Sequence, residues 1–322
     1  KSSAASDVYK RQIIERAEKG DCEAQYIVGF YYNRDSAIDS PDDEKAFYWL
    51  KLAAEQGHCE AQYSLGQKYT EDKSRHKDNE QAIFWLKKAA LQGHTFASNA
   101  LGWTLDRGEA PNYKEAVVWY QIAAESGMSY AQNNLGWMYR NGNGVAKDYA
   151  LAFFWYKQAA LQGHSDAQNN LADLYEDGKG VAQNKTLAAF WYLKSAQQGN
   201  RHAQFQIAWD YNAGEGVDQD YKQAMYWYVK AAAQGSVGAY VNIGYMYKHG
   251  QGVEKDYQAA FEWFTKAAEC NDATAWYNLA IMYHYGEGRP VDLRQALDLY
   301  RKVQSSGTRD VSQEIRETED LL

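Results

Sequence analysis

The side chains able to carry out chemistry are few in this chain and sit far apart. Three cysteines and seven histidines occur among 322 residues. The cysteines form no C-x-x-C pair and none of the spacings that hold zinc. The histidines form no H-E-x-x-H, and no G-x-S-x-G presents a nucleophilic serine. His58, His94 and His164 each follow a glycine and are expected to be solvated turn residues. His76 falls in a loop, while His202, His249 and His284 are expected near the level of the groove face of the helices. Gly-x-Gly-Val recurs at 142–145, 178–181, 214–217 and 250–253. Neither the full dinucleotide pattern nor the Walker pattern accompanies it, so it reads as a turn and not as a phosphate cradle. From these residues no catalytic group, cofactor or metal site is expected, and the chain reads as a non-enzyme. Recognition chemistry is richer, because 27 tyrosines and 11 tryptophans supply amphipathic rings suited to interfaces as well as cores.

Those rings are placed by a repeat. Ala-x-x-x-(Leu/Ile/Val) recurs at Ala24, Ala61, Ala97, Ala131, Ala167, Ala203, Ala239 and Ala275, in steps of 37, 36 and 34 residues and then of 36. Ala-x-x-Trp recurs at Trp49, Trp85, Trp119, Trp155, Trp191, Trp227 and Trp263, with Leu299 in the eighth slot. A fixed period in this range means stacked supersecondary units, each covering the hydrophobic face of the next. The expected fold is all-α, an α/α solenoid of about eight two-helix repeats over 21–307. Residues 13–20 supply a half-repeat before it and 308–322 a capping helix after it.

Each copy reads as two helices. Helix A carries Ala-x-x-x-Leu-Gly-x-x-Tyr, as in Ala131, Leu135, Gly136 and Tyr139, with the alanine, leucine and tyrosine expected to form one buried stripe. The glycine lets helix B pack close, which compensates its cost of about 1 kcal/mol in a helix. Helix B begins at an Asp or Asn cap that stands four residues before its alanine in every copy: Asp42, Asp78, Asn112, Asp148, Asn184, Asp220, Asp256 and Asp292. Gln81, Glu115, Gln223 and Gln295 offer the capping-box partner three residues after the cap. Pro41, Pro111 and Pro290 fall just before caps. Helix B ends at Gly57, Gly93, Gly127, Gly163, Gly199, Gly235, Asn271 and Gly307, residues that tolerate the left-handed conformation. The helix-B tryptophans are expected in the core.

Composition narrows the partners. A net charge of −8 argues against nucleic acid, which needs a basic stripe. No apolar run approaches the roughly 18 residues of a membrane span. Cys22 and Cys59 occupy the same slot of successive copies; stacked helices lie about 8–10 Å apart, beyond the ~7 Å reach of a disulfide. The cysteines therefore read as free thiols. Asn184-Lys-Thr186 matches a glycosylation sequon. Ser2–Gln12 resembles the translation of a sequencing adapter, so residues 1–12 are expected to be foreign to the native chain. On that reading any signal peptide or anchor lies upstream of Ile13, and the compartment, bacterial cytoplasm or periplasm and beyond, stays open.

The pattern Ala-x-x-x-Leu-Gly-x-x-Tyr, Gly-x-Gly-Val, Asp-Tyr-x-x-Ala-x-x-Trp-Tyr-x-Lys-Ala-Ala-x-Gln-Gly resembles the Sel1-like repeat family, relatives of tetratricopeptide repeats. The resemblance spans about residues 21–307. It implies right-handed superhelical stacks that act as adaptors in protein complexes. In bacteria it implies signalling, envelope and host-interaction scaffolds, and in eukaryotes protein quality control and cell-wall regulation. One secreted branch has paired cysteines in each repeat and activity on β-lactams; this chain lacks the pairs, so that hydrolase activity is the disfavoured alternative. A polysaccharide-binding envelope module is another.

In tetratricopeptide-like stacks a second face of helix A lines the concave groove. Here that face falls at offsets −1, +2, +6 and +9 from the anchor alanine. It offers Tyr63, Asn99, Trp103, Asn133, Trp137, Arg140, Asn169, Phe205, Trp209 and Tyr245 as the expected contacts for a partner peptide or helix. Asparagine amides both donate to and accept from a backbone, and exposed tryptophans are frequent anchors. Trp103, Trp137 and Trp209 vary between copies where framework slots do not, which favours a groove position over a packing one.

Overall fold

The computed structural model describes residues 2–33, 42–71, 76–108 and 110–322. Pro41 and the centre of the 70–77 linker lie outside the described residues. Among those residues every regular element is a helix. The chain divides into two compact units, 1–162 and 163–322.

In the first unit α1 (Ser2–Glu18) precedes four helix A–helix B pairs. The A helices are α2 (Cys22–Asn33), α4 (Cys59–Thr70), α6 (Thr95–Arg107) and α8 (Ser129–Asn141). The B helices are α3 (Asp43–Glu55), α5 (Asn79–Leu91), α7 (Tyr113–Glu125) and α9 (Tyr149–Leu161). In the second unit the A helices are α10 (Ser165–Asp177), α12 (Arg201–Ala213), α14 (Val237–His249) and α16 (Ala273–Tyr285). Their partners are α11 (Lys185–Gln197), α13 (Tyr221–Ala233), α15 (Tyr257–Glu269) and α17 (Leu293–Ser306), and α18 (Ser312–Asp320) follows. Within each unit every A helix packs on its own B helix, and B helices pack on the next A helix.

The local signals act as their chemistry requires. All eight Asp and Asn caps accept hydrogen bonds from backbone N–H groups in the first turn of helix B. The reciprocal capping box expected from Gln81, Glu115, Gln223 and Gln295 does not form. Each cap's own N–H is already taken, by the carbonyl of the helix-A tyrosine slot: Asp78 donates to Tyr69, Asn112 to Leu105, Asp220 to Tyr211 and Asp292 to Tyr283, at 2.8–3.0 Å. That bond ties the A–B turn shut. The Gly-x-Gly is part of the same turn. Gly142 ends α8 in the left-handed conformation, while a Cβ on Gly144 would stand 2.4 Å from the Tyr113 carbonyl carbon, so the turn rests directly on the preceding helix B.

Two core expectations are corrected by the packing. The buried helix-A stripe is alanine, leucine and the residue before the tyrosine. Met138, Leu174, Met246 and Met282 are buried, whereas Tyr139, Tyr175, Tyr247 and Tyr283 are half-buried. On a 100° wheel the seventh position lies about 20° from the anchor and the eighth about 80°. On helix B, only Trp85, Trp119 and Trp227 are buried; Trp49, Trp155, Trp191 and Trp263 are half-buried. The innermost residue is the next one, Leu50, Leu86, Tyr120, Tyr156, Tyr192, Tyr228, Phe264 or Tyr300. It lies against the helix-A glycine: a Cβ on Gly136 would come within 2.8 Å of the Tyr156 ring.

Paired glutamines join the helices of a copy. Gln92 donates to the buried Gln62 at 2.7 Å and to the Gly57 carbonyl at 3.2 Å, while Gln62 donates to the Ala54 carbonyl. Gln162 to Gln132, and in the second unit Gln198 to Gln168 and Gln234 to Gln204, repeat the pair. Each buried amide thereby gains a partner, as burial demands.

Candidate partner-binding faces

Helix A of each copy presents the +2, +6 and +9 residues on one line because steps of four and three stay on one side of a helix. In the first unit Trp103 and Trp137 leave 43% of their surfaces exposed. The Arg107 guanidinium lies 5.3 Å over the Trp103 ring. Tyr63 is half-buried, its ring 4.5 Å from that of His94 and its hydroxyl accepting from Gln67 at 2.8 Å. Asn99 is half-buried and accepts from Asn134 at 3.1 Å. Asn133 and Arg140 are also half-buried. A hollow of about 330 Å³ lies among Tyr63, Asn99, Trp103 and Tyr130. Another of about 500 Å³ lies among Trp103, Asp106, Tyr120, Asn133 and Trp137.

In the second unit Trp209 is exposed to the same 43%. Phe205 is half-buried against Tyr228, with ring centres 5.7 Å apart. Tyr245 is half-buried, accepts from Asn278 at 3.3 Å and meets Phe264 edge-on. Asn169 departs from expectation. It is buried, and its Oδ1 is hydrogen-bonded to the His202 ring at 3.0 Å, so its amide faces the neighbouring helix and is not presented outward.

The histidines read as solvated turn residues are helix caps. His58, His94 and His164 accept through Nδ1 from the N–H groups of Ala61, Ala97 and Ala167, at 3.2, 3.0 and 3.3 Å. A neutral imidazole nitrogen is an acceptor like the side-chain oxygens of Asn200 and Asp272, which cap the same position in later copies. The signal for it is the column three residues before each anchor alanine.

Sequence reasoning also misses the buried titrating groups. Tyr120 donates to Asp106 at 2.7 Å, and Tyr192 lies 2.8 and 2.7 Å from oxygens of Asp173 and Glu176. Burial raises the Asp106 carboxyl above its ordinary range, with the Tyr120 hydrogen bond and Arg107 opposing. Asp210 is pushed up to about 8, by burial first and then by Glu176 and Glu215, with Lys185 opposing. Among the described residues no three His, Cys, Asp or Glu side chains are grouped to hold a metal, and Cys22, Cys59 and Cys270 are free thiols.

A family model described as Sel1 repeat matches residues 22–58, 59–94, 95–128, 129–164, 165–200, 201–236, 237–272 and 273–302. The chain belongs to the Sel1-repeat family. Its eight repeats coincide with the eight helix pairs, and Sel1-repeat proteins are generally protein-interaction scaffolds and typically non-catalytic. Over 147 residues, 46% of this chain, it is 97% identical to the Sel1-repeat-containing protein YbeQ of Escherichia coli strain K12, of which that stretch is 45%. The fold is similar to that of c5321, a protective antigen present in uropathogenic E. coli strains, with TM-score 0.87 and 36% identity over 92% of this chain and 64% of that one. A Sel1 repeat protein from Oxalobacter formigenes superposes with TM-score 0.73 and 29% identity, over 96% of this chain and 91% of that one. This Sel1-repeat chain thus spans about half of the curated relative it matches and under two thirds of c5321. Among the described residues no helix is long and apolar enough to cross a membrane.

Proposed function

We propose that this chain is a non-catalytic scaffold that holds a segment of a partner protein against the groove face of its A helices. In the first unit the contacts are Tyr63, Asn99, Trp103, Asn133, Trp137 and Arg140; in the second they are Phe205, Trp209 and Tyr245. The reading is carried by the three tryptophans at offset +6. Each stays 43% exposed while the anchor alanines of the same helices are fully buried. Leaving an indole in water on a rigid helix forgoes the stabilisation its burial could give, and exposed apolar side chains grouped with polar ones mark interaction surfaces.

The test is a peptide-display selection on the full chain. The enriched peptides are then titrated against the Trp103→Ala/Trp137→Ala double variant and the Trp209→Ala single variant. Circular dichroism confirms that each variant is folded. A tenfold loss of affinity, ~1.4 kcal/mol, in a folded variant places the partner on that unit's A face. Equal binding by parent and both variants sinks the proposal and moves attention to the A–B turns. Binding to glycan arrays with no peptide enriched would favour a polysaccharide module instead.

A further inference from the structure

The hollow between α6, α7 and α8 has a chemistry of its own. Asp106 is among the residues that line it, with 10% of its side chain exposed. Its Oδ2 accepts from the Tyr120 hydroxyl at 2.7 Å, while its Oδ1 is buried and receives no hydrogen bond. The Nε of Arg107 stands 3.7 Å from Oδ1, close enough for charge attraction but too long for a hydrogen bond. The Arg107 side chain is itself 68% exposed and leans over the Trp103 ring. The indoles of Trp103 and Trp137 border the hollow, with Asn133 and Asn134 beside them.

A buried carboxylate oxygen lacking a donor calls for one, and a cationic donor satisfies both its charge and its lone pairs. Indole faces attract cations through their negative quadrupole. The pairing is also singular in the repeat array. Of the three copies with tryptophan at +6, only this one has a carboxylate at +9; the others have Arg140 and Asn212. Arg107 indicates the type of group that fits, since a guanidinium already rests on one wall without closing on Oδ1.

We propose that this hollow seats a lysine or arginine side chain of the bound segment, its ammonium or guanidinium on Asp106 Oδ1 between Trp103 and Trp137. The proposal rests on the reading that the A face binds a protein segment. The incoming cation takes the place toward which Arg107 leans, and Arg107 swings out to solvent. The chain's net charge of −8 favours the approach of a basic segment.

The experiment follows the indole N–H signals of Trp103 and Trp137 by NMR on the full chain, with butylammonium and butylguanidinium as probes. Pentanol and butyrate are the neutral and anionic controls. Both cations should shift the two signals saturably, at least tenfold more tightly than either control. Asp106→Asn keeps the shape and the Tyr120 bond; with an unchanged melting temperature it should weaken the cations at least tenfold. Arg107→Ala should tighten them at least threefold. Equal binding of pentanol or butyrate, or an unaffected Asp106→Asn variant, overturns the proposal, and weaker binding by Arg107→Ala overturns the exchange. Display-selected peptides separate the two levels. Peptides that need Trp103 and Trp137 but not Asp106 leave the scaffold reading standing and remove this one. Cation probes that need Asp106, with peptides indifferent to all three residues, mean a free small cation and overturn a partner side chain.

Discussion

Asp210 stands in the slot that Leu174, Met246 and Met282 fill with apolar side chains in the same unit, and it is only 5% exposed. Its carboxyl, with an ordinary value of 3.8, is pushed up to about 8. The folded chain therefore holds a proton that the unfolded chain has released, so stability falls as pH rises through that window. Asp210→Asn should flatten the slope. Thermal melts across a pH series should show it more stable than the parent at pH 8, by on the order of a few kcal/mol, with the advantage shrinking toward pH 4. Parallel slopes would refute the assignment. The helix-A glycines give a second residue-scale prediction. A Cβ on Gly29 would stand 2.9 Å from the Leu50 backbone nitrogen, whereas the atoms nearest to one on Gly136 are those of the Tyr156 ring, at 2.8 Å. Ala172 and Tyr192 show that an alanine and a tyrosine can pack in the same pair of slots. In urea unfolding Gly136→Ala should lie within about 1 kcal/mol of the parent, as helix propensity offsets the ring's displacement. Gly29→Ala should lose ~1–3 kcal/mol, because a backbone cannot turn aside.

At the scale of the element, the two helices of a copy start differently. Helix B always has Asp or Asn at its cap. Helix A is capped by Asp21, His58, His94, His164, Asn200 or Asp272, and Met128 and Ser236 make no side-chain cap bond. An imidazole caps only while neutral, since protonation turns its acceptor nitrogen into a donor. Burial lowers the His164 pKa, with Asp166 opposing. The stabilisation it adds is complete above the unfolded value, near 6.5, and is lost as pH falls through the lower folded value. His164→Asn should keep the cap, as Asn200 does, and remove that acid sensitivity. The difference between pH 7 and pH 5 should shrink by roughly 1 kcal/mol, the worth of one cap. An unchanged acid limb would show that His164 does not cap α10 in solution.

At the scale of the whole molecule, stability in a repeat protein is a sum of units and neighbour contacts. In the first unit α1 packs mainly on α2, through Ile13 and Ala17 against Ala24 and Val28, with Trp49 of α3 at the edge of that cluster. In the second, α18 is held mainly by Val311, Ile315 and a few polar bonds, including Arg301–Glu319 and His284–Thr318. Inner helices such as α6 and α14 are covered on both sides. Hydrogen exchange should therefore be fastest in α1 and α18 and slowest in the inner helices. Protection of α18 equal to that of α14 would contradict nearest-neighbour stacking.

The repeat number, the helix boundaries and the family were legible in the sequence because their causes are local. A cap acts on an N–H group two or three residues away, and a C′ glycine on the turn it ends. A 36-residue period states the stacking directly. The three exposed tryptophans could also be picked out, since a slot that varies while its neighbours do not is free of framework packing. The rest depended on partners carried by other helices. Trp119 and Tyr120 are adjacent, large and aromatic, and the Gly102 backbone facing Tyr120 is what selects it as the innermost of the two. Asn133 and Asn169 occupy one slot of successive copies, yet Asn169 is the one closed over, by His202. The unpaired oxygen of Asp106 arises from where Tyr120 and Arg107 come to rest around it. Spacing along a chain decides which face a side chain is on; which neighbour it meets there, and whether its polar atoms are matched, is decided only when the helices pack.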